Sequence, residues 1–340
     1  MLNHDEVVEL LPMRECIEVM EQALMALARR EAEMPLRTIF HPADVRGVMA
    51  MMPSFRKDEV PMFGLKAICV FPGNAAIGKD AHQGGVLLFS GETGELLALV
   101  NASAITAIRT AAVSAVATRA LAREDASELA IIGAGVQART HLEAMACVRP
   151  IKRARVAAGT FASAQRFAKE MQAHPGSADA GSADVLVRSV FSFPIEAVEC
   201  SEGAVRDADI IVTATTARAP VIKREWVSPG AHINAIGTFS PSAREIDTAT
   251  IASASLFVDA RESALNEAGD YLLAAKEGAI GPDHIKAELG EIIIGASSGR
   301  TSRDETTLFK SLGLAIEDLA AAAFVYQRAR QKEVGTWVEF

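Results

Sequence analysis

Cysteine, paired histidines and long apolar runs are scarce in this 340-residue sequence, and each shortage excludes a class of protein. The four cysteines are scattered without a CxxC pair, which favours buried free thiols in a reducing compartment over a disulfide framework. The seven histidines form no HxH or HxxxH pair, so we expect no metal site. No uncharged apolar run approaches the ~20 residues of a membrane span, and the acidic N-terminus, MLNHDE, is unlike a signal peptide. We therefore expect a soluble, cytoplasmic protein without a membrane partner.

Positive charge is also in short supply, because 34 Lys and Arg stand against 43 Asp and Glu, for a net charge of −9. A polyanion such as DNA requires a concentrated positive surface, so we expect no nucleic-acid partner. Half of the residues are hydrophobic, which is enough for a sizeable core, and the length is typical of two domains.

The first third of the chain predicts helices followed by strands. Apolar residues recur at helical spacing over 6–30 and are interrupted at Pro12, which predicts two helices. Between 35 and 100 the pattern changes to short apolar runs typical of strands, such as 64–71, 85–89 and 96–100, with a hairpin turn at 91–94. An Ala-rich helix over 105–123 follows.

From residue 128 onward, short apolar strands alternate with helices. Strands are predicted at 129–132, 155–158, 210–214, 232–236 and 256–259, and helices at 137–147 and 163–172. This alternation indicates an α/β fold with a parallel sheet. The small polar stretch 173–184 is interpreted as a surface insertion, and a last helix over 312–332 is expected to return to the first domain.

The segment LAIIGAGVQA, residues 129–138, reads as a strand, a GxGxxA turn and the start of a helix. Gly133 permits the tight turn, Gly135 lets the backbone approach a pyrophosphate, and Ala138 lets the helix pack close to the strand. The helix N-terminus supplies amide donors to the anion. Because the motif opens a β-α-β unit, a dinucleotide site is favoured over a Gly-rich turn without a ligand.

The identity of the dinucleotide is not decided by the sequence. The second strand of the unit ends in AAGT, residues 157–160, with neither the acid that favours NAD nor the arginine that favours NADP. Arg166 and Lys169 are more typical of solvated helix charges. NAD and NADP both remain open.

Three basic residues stand in apolar or small-residue surroundings, namely Arg37, Lys66 and Arg109. Taken singly, each would more often be structural, and Lys66 could simply point outward from an edge strand. Together they indicate a pocket for a carboxylate, because arginine binds a carboxylate through two parallel hydrogen bonds. A buried lysine with a lowered pKa can act as a general acid or base near neutral pH. This combination suits an α-imino or α-amino acid.

The same stretches resemble the ornithine cyclodeaminase/mu-crystallin family over nearly the whole chain, and more closely its ketimine-reductase side. The matching segments are GLK at 64–66, FPGN at 71–74, HQG at 82–84, ITAIRTAA at 105–112, GAGVQA at 133–138, PGAHINAIG at 229–237, ALNEAGD at 264–270, ELG at 288–290 and TLFKSLG at 307–313.

The resemblance implies a homodimer and assigns roles to the domains. A Rossmann-type dinucleotide-binding domain is expected over 119–313. An α+β substrate-binding and dimerisation domain is expected from both chain ends, 1–118 and 314–340.

The resemblance also implies roles for residues. Lys66 and Arg109 match catalytic positions, and Arg37, Lys66, Arg109 and Glu267 match positions that bind substrate. The residues expected near the dinucleotide are His82, Arg109, Thr110, Gly133, Gly135, Val136, Gln137, Gly159, Thr160, Thr215, Ile236 and Ser311.

One departure separates the chain from the cyclodeaminases, which carry an Asp soon after the NAxG motif. Here Thr238, Phe239 and Ser240 follow NAIG, and none of them can act as a base toward a second amino group. We therefore predict a NAD(P)H-dependent reductase of small imino acids, of ketimine or pyrroline-2-carboxylate type, or the reverse amino acid dehydrogenase. A cyclodeaminase-type lyase using bound NAD and a nucleotide-dependent ligand-binding protein remain as alternatives. The particular substrate and the direction in the cell stay open.

Overall fold

The computed structural model describes residues 1–57, 59–173 and 191–339, which divide into two compact units. The first unit combines 1–110 with 313–340, and the second is 111–312. The boundaries expected from the sequence, after 118 and after 313, fall slightly later, and the functional role of each part stays a prediction. From residue 174 onward, the predicted insertion at 173–184 lies outside the described residues.

The first unit begins with two helices separated at Pro12, as predicted. They are α1 (His4–Leu10) and α2 (Met13–Ala28). Proline has no amide proton to continue the first helix, and its fixed φ suits the residue before the second. The elements that follow are β1 (Ala32–Glu33), β2 (Thr38–Phe40), β3 (Val48–Arg56), β4 (Met62–Val70), β5 (His82–Ser90), β6 (Leu96–Asn101) and α3 (Ala102–Leu121).

The strands of this unit form an antiparallel sheet, which has six strands among the described residues, in the order β1-β3-β4-β5-β6 with β2 also paired to β3. The predicted hairpin at 91–94 joins β5 to β6. β3 was not predicted, because it is rich in methionine and contains Pro53. Pro53 falls between the stretches of β3 that pair with β1 and with β2, so its missing N–H interrupts neither of those two ladders, and on the other side it lies opposite Leu65 of β4.

The second unit alternates strands and helices, as predicted. Its elements are β7 (Glu128–Ile132), α4 (Val136–Val148), β8 (Arg153–Ala157), α5 (Phe161–Gln172), β9 (Ile195–Ala197), α6 (Ser201–Val205), β10 (Ile210–Thr213), β11 (His232–Ala235), α7 (Thr248–Ser253), β12 (Ser255–Val258), α8 (Arg261–Glu267), α9 (Gly269–Lys276), β13 (Ile285–Glu288), α10 (Leu289–Ile293) and β14 (Thr307–Lys310).

All pairs in the second sheet are parallel, which confirms the predicted α/β class. Over the described residues the order is β13-β12-β14-β11-β10-β7-β8-β9. The chain runs outward from β7 in one direction and from β10 in the other, so the strand order reverses between these two strands. In open α/β sheets, ligands bind at the carboxyl ends of the strands beside such a reversal.

The last helix, α11 (Ala315–Lys332), belongs to the first unit, as predicted, and packs against α2, β3 and β4. By length and composition alone, α3 meets the criteria for a membrane span, but 83% of its apolar window is buried inside the protein. This burial is what a core helix shows, and α3 also carries Arg109 and Arg119.

The expectation of buried free thiols is only partly right. All four cysteines are free, but Cys16 alone is buried, whereas Cys69 and Cys147 are half-buried and Cys200 is exposed. The exposure of Cys200 could not be predicted from the sequence. Cys200 is the N-cap of the short helix α6, where the chain is close to solvent.

Candidate active site

Lys66 lies on the buried face of the first unit's sheet. In β4, residues 62, 64, 66 and 68 are buried in alternation, so the two-residue period of the strand turns the lysine inward. β4 lies between β3 and β5, which excludes the edge position, and Lys66 is only 3% exposed. An ammonium group at such a depth requires a partner.

The partners of Lys66 and Arg109 are two acids in the first turn of α11. Asp318 Oδ2 lies 2.8 Å from Lys66 Nζ, and Asp318 Oδ1 accepts a hydrogen bond from Arg109 Nε at 2.9 Å. Glu317 Oε2 accepts from Arg109 Nη1 at 2.7 Å. All four side chains are buried. We call Lys66, Arg109, Glu317 and Asp318 the charged cluster.

Burial and charge together set the protonation of the cluster. Burial lowers the pKa of Lys66 to about 8; Asp318 opposes this shift, whereas Arg109 and Arg37 add to it. Burial by itself would raise the pKa of Asp318, but the charges of Arg109 and Lys66 outweigh it and hold that pKa below its usual value. The result is an ionised Asp318 beside a lysine that can gain or lose a proton near neutral pH.

Arg37 meets the same cluster through Gly313. Arg37 Nη2 donates to Gly313 O at 2.9 Å. A Cβ on Gly313 would lie 2.6 Å from Arg109 Nη1, and the residue has a φ of +78°, so glycine is required here. The first unit therefore brings all three sequence-predicted cations, Arg37, Lys66 and Arg109, into one neighbourhood.

His82 and Thr110 are the other residues of the first unit that the resemblance places near the dinucleotide. His82 begins β5, where burial and the charges of Lys66 and Arg109 lower its pKa, so its imidazole is neutral at neutral pH. The hydroxyl of Thr110 donates to Thr106 O at 2.7 Å within α3. Thr106 Oγ1 in turn accepts from Lys66 Nζ at 3.4 Å.

The GxGxxA loop of the second unit follows β7, as predicted. Gly133 has a φ of +129°, and a Cβ there would lie 2.4 Å from Ala214 O, so only glycine fits this turn. A Cβ on Gly135 would meet no atom of the described chain within 4 Å. Gly135 is the N-cap of α4, Val136 begins the helix, and Ala138 is fully buried. The loop therefore has the open face and the amide donors that a pyrophosphate requires.

The remaining residues predicted for the dinucleotide in this unit also lie near the carboxyl ends of strands. Gln137 is half-buried in the first turn of α4. Gly159 and Thr160 follow β8 and are exposed, and Thr160 caps α5 by accepting from Ser163 N at 3.2 Å. Residues 157–160 contain neither an acid nor an arginine, and Arg166 is exposed on α5.

Thr215, Ile236 and Ser311 follow β10, β11 and β14, which are neighbouring parallel strands. Parallel strands end at one edge, so these residues share that edge with the GxGxxA loop. Ser311 is 2% exposed, and its Oγ has no hydrogen-bond partner among the described residues. This buried hydroxyl and the open face of Gly135 fit a large polar ligand such as a dinucleotide.

Glu267 is half-buried at the end of α8, in the second unit. The three basic residues predicted for the substrate belong to the first unit, so the substrate role of Glu267 stays a prediction. Among the described residues, no group of three or more His, Cys, Asp or Glu side chains could hold a metal ion.

The sequence analysis gave no role to several buried charged residues. Glu317 and Asp318 stand next to each other in the Ala-rich helix α11, which was the available signal. Acids in a first helical turn have an ordinary explanation, the helix dipole, so the signal was ambiguous. Three more, Glu245, Asp270 and Lys310, meet at the carboxyl edge of the second sheet.

Known proteins resemble the chain over its whole length. The model of the ornithine cyclodeaminase/mu-crystallin family matches residues 1–333. A Delta(1)-pyrroline-2-carboxylate reductase from Bacillus cereus is 37% identical over 340 residues, covering 100% of this chain and 99% of the relative. The ketimine reductase mu-crystallin of Mus musculus is 40% identical over 292 residues, covering 86% and 84%.

Two solved structures are similar in both sequence and fold. The Delta(1)-pyrroline-2-carboxylate reductase of Thermococcus litoralis, in complex with NADH and L-proline, has a TM-score of 0.90 at 40% identity and covers 99% of each chain. An archaeal alanine dehydrogenase dimer with bound NAD has a TM-score of 0.89 at 33% identity, covering 100% of this chain and 98% of that one.

Proposed function

The chain belongs to the ornithine cyclodeaminase/mu-crystallin family, and we propose that it reduces a small cyclic imino acid of the pyrroline-2-carboxylate type with NADH or NADPH. The relatives confirm the predicted class, an oxidoreductase that acts on carbon–nitrogen bonds and uses a nicotinamide dinucleotide. Oxidation of the corresponding amino acid is the reverse of the same reaction. The choice between NAD and NADP stays open.

The charged cluster is the observation that carries this proposal. Arg37, Lys66 and Arg109 lie in one neighbourhood with Glu317 and Asp318, whose carboxylates hold Lys66 and Arg109 by direct ion pairs. Three cations in one place favour an anionic substrate, and a guanidinium group binds a carboxylate through two parallel hydrogen bonds. The arrangement therefore supports a substrate that carries a carboxylate beside the reacting carbon–nitrogen bond.

The roles of the cations follow from their chemistry and surroundings. Arg37 and Arg109 offer guanidinium donors to the substrate carboxylate. Lys66 holds a proton at Nζ that it can deliver to the imine nitrogen, because its pKa of about 8 keeps it mostly protonated at neutral pH and still acidic enough to donate. A dinucleotide bound at the GxGxxA loop would supply the hydride.

The loop after β11 argues against a cyclodeaminase-type lyase. Residues 238–240 contain no acid, and the hydroxyl of Thr238 is engaged with Ala243 O at 3.3 Å. Phe239 is 43% exposed and offers an apolar surface instead of a base. Closing a diamino acid into a ring requires a group that handles the second amine, and this loop supplies none.

Absorbance at the reduced-nicotinamide band tests the proposed reaction directly. Purified protein is mixed with NADH or NADPH and with pyrroline-2-carboxylate, piperideine-2-carboxylate, pyruvate plus ammonia, or oxaloacetate plus ammonia. We expect rapid oxidation of NADH or NADPH with a cyclic imine. Proline formed from ornithine plus NAD⁺, without oxidation of NADH or NADPH by any imine, would show that the lyase is the correct function. Tight imine binding without turnover would instead indicate a ligand-binding protein.

A variant at Lys66 tests its catalytic role. Lys66→Met keeps the length and the apolar stem of the side chain but removes the proton donor. We expect turnover to fall by 10²-fold or more, in the range of general acid catalysis, while the dissociation constant of the dinucleotide stays unchanged. Undiminished turnover in this variant would remove Lys66 from the mechanism.

We also propose that the chain forms a homodimer through the outer face of the first unit's sheet. Residues on that face are apolar and only partly covered, and Phe63 is 48% exposed. The strand register places side chains of this kind opposite one another, for example Phe63 opposite Phe89 and Leu65 opposite Leu87. An exposed apolar face of this extent is typical of a subunit interface. Its members are Met49, Met51, Pro53, Phe55, Phe63, Leu65, Leu87, Phe89 and Leu99.

A second copy of the chain suits this face best, because the solved alanine dehydrogenase with 33% identity is a dimer. A two-fold interface joins a surface to itself, and an uncharged apolar face is compatible with that pairing. We further propose a cytoplasmic location, since all four cysteines are free, as is usual in a reducing compartment. Fractionation of cells that express the tagged chain would test the location.

A further inference from the structure

A fully buried carboxylate joins two of the loops at the edge where the dinucleotide is expected. Glu245 Oε1 accepts from Thr215 N at 2.8 Å and from Thr215 Oγ1 at 2.7 Å. Glu245 Oε2 accepts from Gly237 N at 2.7 Å and from Thr213 Oγ1 at 2.9 Å. One side chain therefore holds the backbone after β10 and the backbone after β11.

The chain is shaped to bring this carboxylate close to the loops. A Cβ on Gly237 would lie 2.4 Å from Glu245 Oε1 and 2.2 Å from Thr215 O, so this position requires glycine. Burial raises the pKa of Glu245, whereas Lys310 and the hydrogen bonds from Thr215 oppose that rise. Four hydrogen bonds to the two carboxylate oxygens replace those that water would make to an exposed carboxylate.

The contacts continue to the strand that precedes Ser311. Asp270 Oδ1 accepts from the backbone N–H of Glu245 and of Ile246, at 2.8 and 2.9 Å. Asp270 Oδ2 lies 3.1 Å from Lys310 Nζ. Lys310 is the last residue of β14, and its ammonium donates to Thr238 O at 2.7 Å. Three strand ends, those of β10, β11 and β14, are thus tied together by one buried network.

We propose that Glu245 is a positioning residue for the dinucleotide, which it does not touch, and that it acts by fixing the loops at Thr215 and Gly237. The inference rests on the proposed function, because it assumes that a dinucleotide binds at this edge. A network that served only the fold could lie anywhere in the sheet, whereas this one joins the loops beside the reversal of strand order. Two of the donors that Glu245 holds are backbone N–H groups of the loops, so loss of the carboxylate moves the walls of the site.

The test compares Glu245→Gln with a matched control, Asp209→Asn. Glutamine has the same shape, but its NH₂ group faces donors, so one loop must shift. Asp209 precedes β10 at the opposite edge of the same sheet, where it accepts from Ser127 N at 2.8 Å and Glu128 N at 3.0 Å and pairs with Arg123. Each variant replaces a carboxylate that accepts hydrogen bonds from backbone N–H groups by an amide. Only Glu245→Gln does so at the edge of the sheet where the dinucleotide is expected.

The measurements are the dissociation constant of NADH or NADPH by fluorescence titration, the melting temperature, and the KM for each substrate. We expect Glu245→Gln to raise the dissociation constant and the KM of the dinucleotide by about tenfold, which corresponds to about 1.4 kcal/mol. The KM of the imino acid and kcat at saturating dinucleotide should change far less. Asp209→Asn should lower the melting temperature and leave dinucleotide binding unchanged.

A milder variant keeps the proposal testable if Glu245→Gln does not fold. Thr213→Val removes one of the four donors and keeps both the carboxylate and the volume of the side chain, so we expect a smaller, several-fold rise in the dissociation constant. Unchanged dinucleotide binding in the folded variants would overturn the positioning role. A wild-type chain that binds neither NADH nor NADPH would instead overturn the proposed function.

Discussion

Replacing Asp318 with asparagine should move the pH dependence of imine reduction toward acid. Asp318 Oδ2 lies 2.8 Å from Lys66 Nζ and stabilises its protonated form. An opposite charge at this distance shifts a pKa by about 1–3 pH units, so its removal should lower the pKa of Lys66 from about 8 by that amount. In the proposed mechanism reduction requires protonated Lys66, so we expect activity below this pKa and its loss above it.

The size of the effect follows from the titration. At pH 8 about half of the wild-type lysines are protonated, whereas a pKa lower by one unit leaves about a tenth. The rate at pH 8, relative to each enzyme's own acidic plateau, should therefore fall about fivefold or more in Asp318→Asn. The assay is kcat/KM for the imino acid as a function of pH, because this ratio reports the pKa values of the free enzyme.

Glu317→Gln is the matched control for this experiment. It also removes one carboxylate bound to Arg109, whereas Asp318 is the acid in direct contact with Lys66 Nζ. We expect this variant to bind the substrate more weakly, while its kcat/KM still falls with an apparent pKa of about 8. If kcat/KM of Asp318→Asn falls at the same pH as in the wild type, or if both variants shift equally, the loss of activity at high pH is not governed by Lys66 and its pairing with Asp318.

Three further predictions concern the loop and the sheet. Gly135→Val should abolish dinucleotide binding with little change in melting temperature. A Cβ at this position meets no atom of the described chain within 4 Å and points into the open face that the ligand needs. Retained binding would contradict the proposed role of the loop. Gly133→Ala should instead lower the melting temperature, since its Cβ would lie 2.4 Å from a carbonyl oxygen at a φ of +129°, and an unchanged melting temperature would contradict that geometry. Phe63→Glu should convert a dimer to monomers in light scattering, whereas Ile77→Glu, which is 69% exposed and lies outside the sheet, should not. A dimer that survives Phe63→Glu would exclude the proposed interface.

Features governed by local rules were predictable from the sequence. The β-α-β alternation, the break at Pro12 and the GxGxxA turn each depend on residues within a few positions of one another, and each appears where it was expected. The return of the last helix to the first unit was also predicted, because α11 comes after the alternating region has ended.

Short strands were the first kind of feature that escaped prediction. β14 has only four residues, TLFK, and ends in a lysine, so neither its length nor its composition marks a buried central strand. It lies between β11 and β12 with every residue buried, and its burial is decided by neighbours that are distant in sequence. Lys310 is acceptable there because Asp270 and two backbone carbonyls receive its ammonium group.

The acidic partners of Lys66 and Arg109 were not predicted either, because they are distant from both cations in sequence. Arg109 and Asp318 are 209 residues apart in the chain, and no local pattern connects them. The reasoning that a cation in an apolar run requires a partner was sound, but it identified the substrate as that partner. The structure shows that the chain supplies carboxylates of its own to Lys66 and Arg109.

This arrangement has a consequence for catalysis. An arginine that is exposed to solvent before the substrate binds loses side-chain freedom and hydration when it binds the substrate carboxylate. Glu317 and Asp318 already hold the Nη1 and Nε groups of Arg109, and Asp318 also holds Lys66, so both cations are oriented before substrate binds. Fixed charges that need no reorganisation stabilise a transition state better than mobile ones. In the proposed mechanism the two acids therefore contribute by holding the cations in position, which would also explain why a buried cluster of four charges is tolerated in place of apolar packing.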